Sequence, residues 1–194
     1  MANQKTDFEY LTWILNHRFA CKDKNWMKEE KVAKGKRSQR VEIYSGPGIR
    51  GYELYEFGDK ENCRHLPFFN NTNNHKGLPN APSGLIAFCD YILLVEFKQL
   101  LHIVLIELKR GSTAHARLQL EASKVFMQYV LNSAERIKDD NNMEMFDKGK
   151  ILFRKVIITQ NEKEPLNSHL PKDFNKNDVL TYTTSKDFYI REIL

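Results

Sequence analysis

Two strongly apolar segments, separated by only two polar residues, constrain the fold of this chain more than any other feature. Residues 85–97 read LIAFCDYILLVEF and residues 100–108 read LLHIVLIEL, with Lys98 and Gln99 between them. Nearly continuous apolar strands of this kind belong in the middle of a β-sheet that is covered on both faces. The short interruption predicts a β-hairpin. The sequence therefore places an antiparallel pair of strands at the centre of the protein.

The segments that follow this hairpin predict an α/β fold, with a mixed central β-sheet flanked by helices on both faces. A long helical pattern covers residues 112–137, and residues 152–159 form another apolar strand, so that a strand–helix–strand crossover is expected. Residues 179–183 predict a last strand, followed by a short helix. The apolar stripe of the long helix is predicted at Leu118, Ala122, Val125, Phe126, Tyr129 and Val130.

The N-terminal part of the chain adds a helix and a second hairpin to this core. Apolar residues at helical spacing predict a helix within residues 7–20, with Asp7 as its cap. Residues 41–45 and 51–57 alternate and are rich in aromatic side chains, and the sequence GPG at 46–48 lies between them. This pattern predicts a β-hairpin.

The composition limits the class of protein. The 194 residues suit a single domain spanning 1–194, with a core at about 84–160, and 41% hydrophobic with 28% charged residues is typical of a soluble globular chain. No apolar run approaches the roughly 20 residues of a membrane helix, and the start MANQKTDFEY does not resemble a secretory signal. Cys21, Cys63 and Cys89 form no CxxC pair. We therefore expect a cytoplasmic protein with no membrane partner.

The charge favours an anionic partner. The formal net charge is +5 and the pI is about 9.0, and nucleic acid is the commonest partner of basic proteins. The sharpest basic cluster consists of Lys34, Lys36, Arg37 and Arg40. These side chains are candidates for phosphate contacts, and a solvated surface loop is the alternative.

Three charged residues lie in the most apolar part of the chain, where a charge is costly unless it is paired or binds a metal. Asp90 lies within the first apolar segment, and Glu107 and Lys109 end the second. A turn centred between Lys98 and Gln99 places Asp90 directly opposite Glu107, and therefore on the same face of the sheet. Lys109 shares that face because it follows Glu107 by two strand residues.

This patch predicts a site for a divalent metal ion. Two adjacent carboxylates repel one another unless a cation lies between them, and hard oxygen ligands favour Mg²⁺ or Mn²⁺. Such a site supports phosphodiester hydrolysis, in which Lys109 would orient the attacking water or offset the developing negative charge. The alternative is a structural ion pair of Asp90 with Lys109. That pair would leave the carboxylate of Glu107 without a counterion.

The pattern of Cys89 and Asp90 followed by Glu107, Leu108 and Lys109 resembles the PD-(D/E)XK nuclease superfamily, which includes restriction endonucleases. The resemblance implies a restriction-endonuclease-like αβββαβ core, with the Asp on one central strand and Glu-x-Lys at the end of the next. It implies a metal held by Asp90, Glu107 and the backbone carbonyl of Leu108, and a catalytic role for Lys109. Cys89 replaces the proline of the family pattern.

Four further residues are candidates for the same site. The resemblance implies a polar catalytic residue on the following helix, and Gln119 occupies that position. Some members of the superfamily draw a Glu ligand from the first helix, which makes Glu9 a candidate. Ser112 and His115 lie where they could contact phosphate near the start of the long helix. A helix cap and a solvated histidine are the alternatives for these two.

The resemblance implies a Mg²⁺-dependent DNA endonuclease with a role in restriction, defence or a mobile element. The choice of DNA over RNA follows from the family and from the modest positive charge. Cleavage of both strands would suggest a homodimer. Three alternatives remain open, namely an RNA-directed nuclease with the same three residues, an inactive domain that binds nucleic acid or protein, and a metal-dependent hydrolase of another phosphoester.

Overall fold

The described residues form a central mixed sheet together with the helices and the smaller sheet that cover it. The computed structural model describes residues 5–28, 40–56, 88–109, 115–140, 146–160, 172–174, 179–184 and 187–194. In these ranges the helices and strands are α1 (Asp7–Ile14), β1 (Trp26–Lys28), β2 (Arg40–Tyr44), β3 (Ile49–Glu56), β4 (Tyr91–Phe97), β5 (Leu100–Lys109), α2 (Ala116–Asp140), β6 (Ile151–Gln160), β7 (Lys172–Phe174), β8 (Val179–Thr184) and β9 (Asp187–Tyr189). Short 3₁₀ helices lie at His17–Phe19, Lys148–Lys150 and Ile190–Ile193.

The strands form two sheets. The larger has six strands in the order β3-β4-β5-β6-β8-β7, and the smaller has three in the order β1-β2-β9. In the larger sheet β3, β4 and β5 are antiparallel neighbours, whereas β5, β6 and β8 run parallel. The predicted α/β class with a mixed central sheet is therefore confirmed.

The central hairpin has the predicted register. Tyr91 pairs with Ile106 and Phe97 pairs with Leu100, which centres the turn on Lys98 and Gln99. Both turn residues have positive φ, at 50° and 63°. Two successive residues of positive φ are typical of a type I′ turn, whose twist matches that of the strands it joins. The turn therefore fixes which residues of β4 and β5 face each other.

The two faces of the central sheet pack against different layers of the molecule. Val104, Ile106 and Leu108 of β5 enter a core that is shared with the three-stranded sheet. Ile103 and Leu105, which alternate with them, enter a core that is shared with α1 and α2. The expectation of α-helices on both faces is therefore wrong for the described residues, since the smaller sheet and the 3₁₀ helix Ile190–Ile193 cover the second face. The smaller sheet closes the second face with the buried apolar side chains Met27, Val41, Ile43 and Phe188.

The predicted hairpin of residues 41–45 and 51–57 is also wrong. β2 pairs with β1 and β9, and β3 pairs with β4. The turn itself is present, because the N–H of Ile49 donates to the carbonyl of Gly46 and Gly48 has a φ of 87°. With Pro47 before that glycine, the turn has the features of type II, which splays the flanking strands rather than pairing them. The two strands consequently enter different sheets.

Helix α1 is shorter than predicted, and Thr6 rather than Asp7 is its cap. The hydroxyl of Thr6 accepts the N–H of Glu9, and the carboxylate of Glu9 accepts the N–H of Thr6. This reciprocal capping box satisfies two backbone donors at once. The helix ends at Ile14, and residues 17–19 of the predicted helix form a 3₁₀ turn instead.

Phe126 and Val130 of the predicted stripe of α2 pack against the core as partly buried side chains, but the helix is rotated from the predicted face. Ala116, Leu120, Ser123 and Met127 are buried. Three side chains of the predicted stripe are instead exposed, at 49% for Leu118, 65% for Val125 and 69% for Tyr129. Small residues at the contact let the helix approach the sheet closely, and a pattern judged on large apolar residues misses them. None of the described helices is both long and apolar enough to cross a membrane.

Candidate active site

The candidate site lies at the carboxyl end of β5, where the pairing with β6 continues further than the pairing with β4. The antiparallel ladder with β4 ends at Ile106, and Asp90 comes directly before the first residue of β4. The parallel ladder with β6 continues to Lys109, which pairs with Thr159. The last three residues of β5 therefore extend past the β4 ladder. This offset leaves their backbone groups on the β4 side available for contacts with Asp90.

Direct contacts bring the three predicted charges together. The backbone N–H of Asp90 donates to Oε2 of Glu107 at 3.1 Å, and the N–H of Leu108 donates to Oδ2 of Asp90 at 2.8 Å. The Nζ atom of Lys109 lies 2.5 Å from Oε1 of Glu107. We call Asp90, Glu107 and Lys109 the acidic cluster, since it holds two carboxylates and one ammonium group.

The acidic cluster lies on the helix side of the central sheet. Glu107 follows Leu105 by two residues on β5, and Asp90 precedes Ile92 by two residues at the start of β4. Leu105 and Ile92 both belong to the core shared with the helices. Because side chains alternate along a strand, the two acids and Lys109 point to the same side. Helix α2 packs against this side, so the cluster lies beneath its first turns.

Burial and the charge of Asp90 dominate the electrostatics of Glu107. The side chain of Glu107 is 1% exposed. Its burial, together with the nearby charge of Asp90, raises the pKa of Glu107 to about 7, although the hydrogen bond from Lys109 acts in the opposite direction. The ammonium group of Lys109 therefore does not offset the effects of burial and of Asp90 on Glu107. The side chain of Lys109 is 24% exposed, so one end of the cluster opens towards solvent.

The oxygen donors of this cluster fit a hard divalent cation. A strand residue presents its N–H and C=O on the same side, so the carbonyl of Leu108 faces the edge where its N–H binds Asp90. No three His, Cys, Asp or Glu side chains in the described ranges are grouped as metal ligands. A divalent cation bound here would have two carboxylates and one carbonyl as protein ligands. Mg²⁺ is commonly bound through one or two carboxylates and several waters.

Comparisons with known proteins find no relatives. Neither the protein-family models nor the curated proteins match the sequence, and no solved structure matches the fold. The resemblance to the PD-(D/E)XK superfamily therefore depends on the strand–strand–helix motif and on the contacts within it.

Helix α2 holds the segment that carries Asp90. Nε2 of Gln119 donates to the carbonyl of Phe88 at 3.2 Å. The hydroxyl of Ser123 accepts the N–H of Cys89 at 2.8 Å and donates to the carbonyl of Gln119. Gln119, predicted as catalytic, thus contacts the backbone two residues before Asp90. Ser123 was missed, and its signal was a serine one turn after Gln119 on the same helix face.

Glu9 does not join the acidic cluster. Its carboxylate takes part in the capping box of α1, and Glu9, Asp90 and Glu107 do not form a three-acid group. His115 is exposed, and its carbonyl accepts the N–H of Gln119 at the start of α2. Helix α2 begins at Ala116, which makes the position just before it the cap.

The predicted basic cluster lies largely outside the described residues. Lys34, Lys36 and Arg37 fall outside them, as does Ser112. Arg40 is described and exposed at the start of β2, where its guanidinium stacks 3.7 Å from the ring centre of Trp26. That sheet covers the face of the central sheet opposite the acidic cluster. Arg40 is therefore separated from the cluster by the sheet itself.

Proposed function

We propose that this protein is a metal-dependent nuclease that hydrolyses phosphodiester bonds, acting on DNA as an endonuclease. The observation that carries the proposal is the acidic cluster at the open end of β5. Two carboxylates share one face with the ammonium group of Lys109, and the more buried of them, Glu107, is 1% exposed. Two carboxylates held this close to one another favour the binding of a cation between them.

The order of elements supports a restriction-endonuclease-like core. Helix α1, strands β3, β4 and β5, helix α2 and strand β6 follow one another in the αβββαβ order. Strands β1 and β2 are inserted between α1 and β3. In this arrangement Asp90 precedes β4, Glu107 and Lys109 end β5, and Gln119 lies on the next helix. These are the positions that the resemblance to the superfamily implies.

The residues divide the chemistry as follows. Asp90, Glu107 and the carbonyl of Leu108 would hold the Mg²⁺ or Mn²⁺ ion. A bound cation of this kind polarises a phosphate oxygen and lowers the pKa of a bound water. Lys109, at the solvent-facing end of the cluster, would orient the attacking water and offset negative charge near the scissile phosphate. Gln119 keeps Asp90 in place through the carbonyl of Phe88.

The substrate assignment follows from charge and resemblance. The net charge of +5 favours a polyanion, and small nucleases resembling this superfamily act mainly on DNA. A role in restriction, defence or a mobile element is proposed on the same ground. Cleavage of both strands would require two active sites, and a homodimer would provide them.

A cleavage assay tests the proposal. Plasmid DNA and a structured RNA are incubated with the protein in Mg²⁺, in Mn²⁺ or in EDTA. We expect metal-dependent cleavage of the DNA, lost in Asp90→Ala and Lys109→Ala. Glu121→Gln is the matched control, because it removes a carboxylate from the ion pair of Glu121 with Lys155 on α2 and β6. It should cleave at the wild-type rate.

Three results would contradict the proposal in different ways. Tight binding without cleavage in any metal would indicate an inactive binding domain. Cleavage of RNA alone would assign the same cluster to an RNA-directed nuclease. Cleavage that survives Asp90→Ala would show that another protein in the preparation is the nuclease.

A further inference from the structure

Two threonines continue the polar edge beyond the acidic cluster. Strands β5, β6 and β8 are parallel neighbours, so their carboxyl ends meet at one edge of the sheet. At that edge Lys109 pairs with Thr159, and Thr159 pairs with Thr183. In open α/β sheets, ligands bind in the crevice outside the carboxyl ends of the strands. The register therefore places two hydroxyl groups in the same row as Lys109.

Both threonines face the helix side of the sheet. Ile157 precedes Thr159 by two residues, and Val179 precedes Thr183 by four, and both apolar side chains belong to the core shared with the helices. Ile157 and Val179 are buried, whereas Thr159 and Thr183 are half-buried. Each strand therefore changes from apolar and buried to polar and accessible as it reaches the edge.

The two hydroxyl groups are in hydrogen-bonding contact, with Oγ1 of Thr159 lying 3.1 Å from Oγ1 of Thr183. Each hydroxyl has one hydrogen and two lone pairs, and the mutual bond uses one of the two hydrogens. The second hydrogen can be donated to an external acceptor. A hydroxyl that accepts a hydrogen bond from its neighbour is polarised by that bond. It therefore donates a stronger hydrogen bond to an anionic oxygen.

We propose that Thr159 and Thr183 form a phosphate-binding shelf that receives the nucleic-acid backbone beside the scissile phosphate. The inference rests on the proposed nuclease function. Neighbouring strands lie about 4.8 Å apart, so Thr159 lies one strand spacing from Lys109 and Thr183 two. Thr hydroxyls are frequent donors to phosphate oxygens, and such contacts set the register and path of the backbone. The shelf would direct the bound strand across β6 and β8.

The test compares valine substitutions at the shelf and just below it. Thr159→Val with Thr183→Val keeps the shape and β-propensity of the side chains and removes both hydroxyls. Thr181→Val is the matched control, since Thr181 lies on the same strand and face but pairs with Ile157, one step further from the edge. Binding of a labelled DNA oligonucleotide is followed by fluorescence anisotropy in Ca²⁺, and cleavage kinetics are measured in Mg²⁺.

We expect the double variant to bind DNA about tenfold more weakly, since a hydrogen bond to a charged group contributes that much. KM should rise by a similar factor while kcat stays near the wild-type value. The salt dependence of binding should not change, because no cation is lost. Thr159→Ser with Thr183→Ser should restore binding, and Thr181→Val should behave as wild type.

The outcomes separate the shelf from the nuclease. Unchanged affinity and KM in the double variant, with normal metal-dependent cleavage, would overturn the shelf and leave the nuclease in place. A lower melting temperature with unchanged affinity would likewise overturn it, because the pair would then serve only the sheet. Absence of metal-dependent cleavage in the wild-type protein would overturn the proposed function, and weaker DNA binding by the double variant would still support the shelf.

Discussion

Two clusters of charge near helix α2, the pair of Lys138 with Asp7 and the acidic cluster, differ in the groups they contain. In the first, Nζ of Lys138 lies 3.0 Å from Oδ1 of Asp7 on α1, with side chains 5% and 24% exposed. The same ammonium lies 4.7 Å from the ring centre of Tyr10 and 4.0 Å from that of Phe146. One positive charge therefore meets one negative charge and two aromatic faces.

The acidic cluster has the opposite character. It contains one more carboxylate than ammonium group, and burial beside Asp90 raises the pKa of Glu107 to about 7. The pair of Lys138 with Asp7, together with its cation–π contacts, holds α2 against α1. A buried carboxyl with a raised pKa destabilises the fold at neutral pH. Carboxyls with strongly shifted pKa values concentrate at functional sites. This difference is why we propose a function for the acidic cluster and none for the pair of Lys138 with Asp7.

The largest expected effect separates the two clusters by activity. Glu107→Gln keeps the size of the side chain and removes its charge, so we expect metal-dependent cleavage to fall by about a thousandfold. Lys138→Met, in the pair with Asp7, should leave the rate per folded molecule near the wild-type value. Single-turnover cleavage at saturating Mg²⁺ measures both. Equal losses in the two variants would mean that the acidic cluster is no more catalytic than the pair of Lys138 with Asp7.

The second effect is on the pH dependence of stability. The pKa of Glu107 rises from 4.5 to about 7 on folding, so the folded protein binds more protons than the unfolded chain between these values. The free energy of unfolding of the metal-free protein should therefore fall as pH rises from about 4.5 to 7, on the order of 3 kcal/mol. Mg²⁺ should restore it above pH 7, because a ligand of the folded state stabilises that state. Denaturant unfolding at several pH values measures this.

The control for that experiment is Glu107→Gln, which has no titrating carboxyl at position 107. Its stability should change less across the same pH range, and Mg²⁺ should add little. An unaltered pH profile in this variant would assign the titration to another group.

The third effect is on the stability that the pair of Lys138 with Asp7 contributes. Lys138→Met leaves the carboxylate of Asp7 without its ammonium partner, and we expect a loss of about 2 kcal/mol, which is less than for a fully buried pair because Asp7 is partly exposed. Lys109→Met should respond more strongly to Mg²⁺ than Lys138→Met, since the cation then meets two carboxylates without competition. Urea unfolding with and without Mg²⁺ distinguishes the two. A Mg²⁺ response in Lys138→Met that exceeds that of Lys109→Met would reverse the assignment.

The smallest effect concerns the support of the acidic cluster by α2. Gln119→Ala removes the hydrogen bond to the carbonyl of Phe88, so the segment carrying Asp90 is held less firmly. We expect cleavage to fall about tenfold, as for outer-shell partners of metal sites, with a higher Mg²⁺ concentration needed for half-maximal rate. Gln128→Ala, lower on the same helix, is the control. An unchanged Mg²⁺ requirement would show that Gln119 does not position Asp90.

The acidic cluster could be anticipated because it depends on a short-range feature. The two-residue turn at Lys98 and Gln99 determines the register of β4 and β5, and the register determines that Asp90 meets Glu107. No long-range information is needed for this step. The contact of Gln119 with the carbonyl of Phe88 was beyond the same reasoning, because it depends on the rotation of α2 over the sheet.

The layers of the fold could not be anticipated in the same way. Whether β2 pairs with β3 depends on the hand of the turn at Gly48, and its actual partner β9 begins at Asp187, near the other end of the chain. The face that α2 buries was partly misjudged, because it includes the small residues Ala116 and Ser123 beside Leu120 and Met127. Small residues carry little hydrophobic signal, although they allow the closest approach of a helix to a sheet.

The relative positions of Asp90 and Glu107 depend on the turn at Lys98 and Gln99, in which both residues have positive φ. The turn lies roughly 25 Å from Asp90 along β4 at about 3.4 Å per residue. Because side chains alternate with a period of two, a single residue added to the turn would shift the pairing and move Asp90 to the far face of the sheet. The strands could still pair and bury apolar side chains, yet the two carboxylates would be on opposite sides. The geometry of the acidic cluster is therefore as sensitive to insertions at this turn as to changes in its own residues.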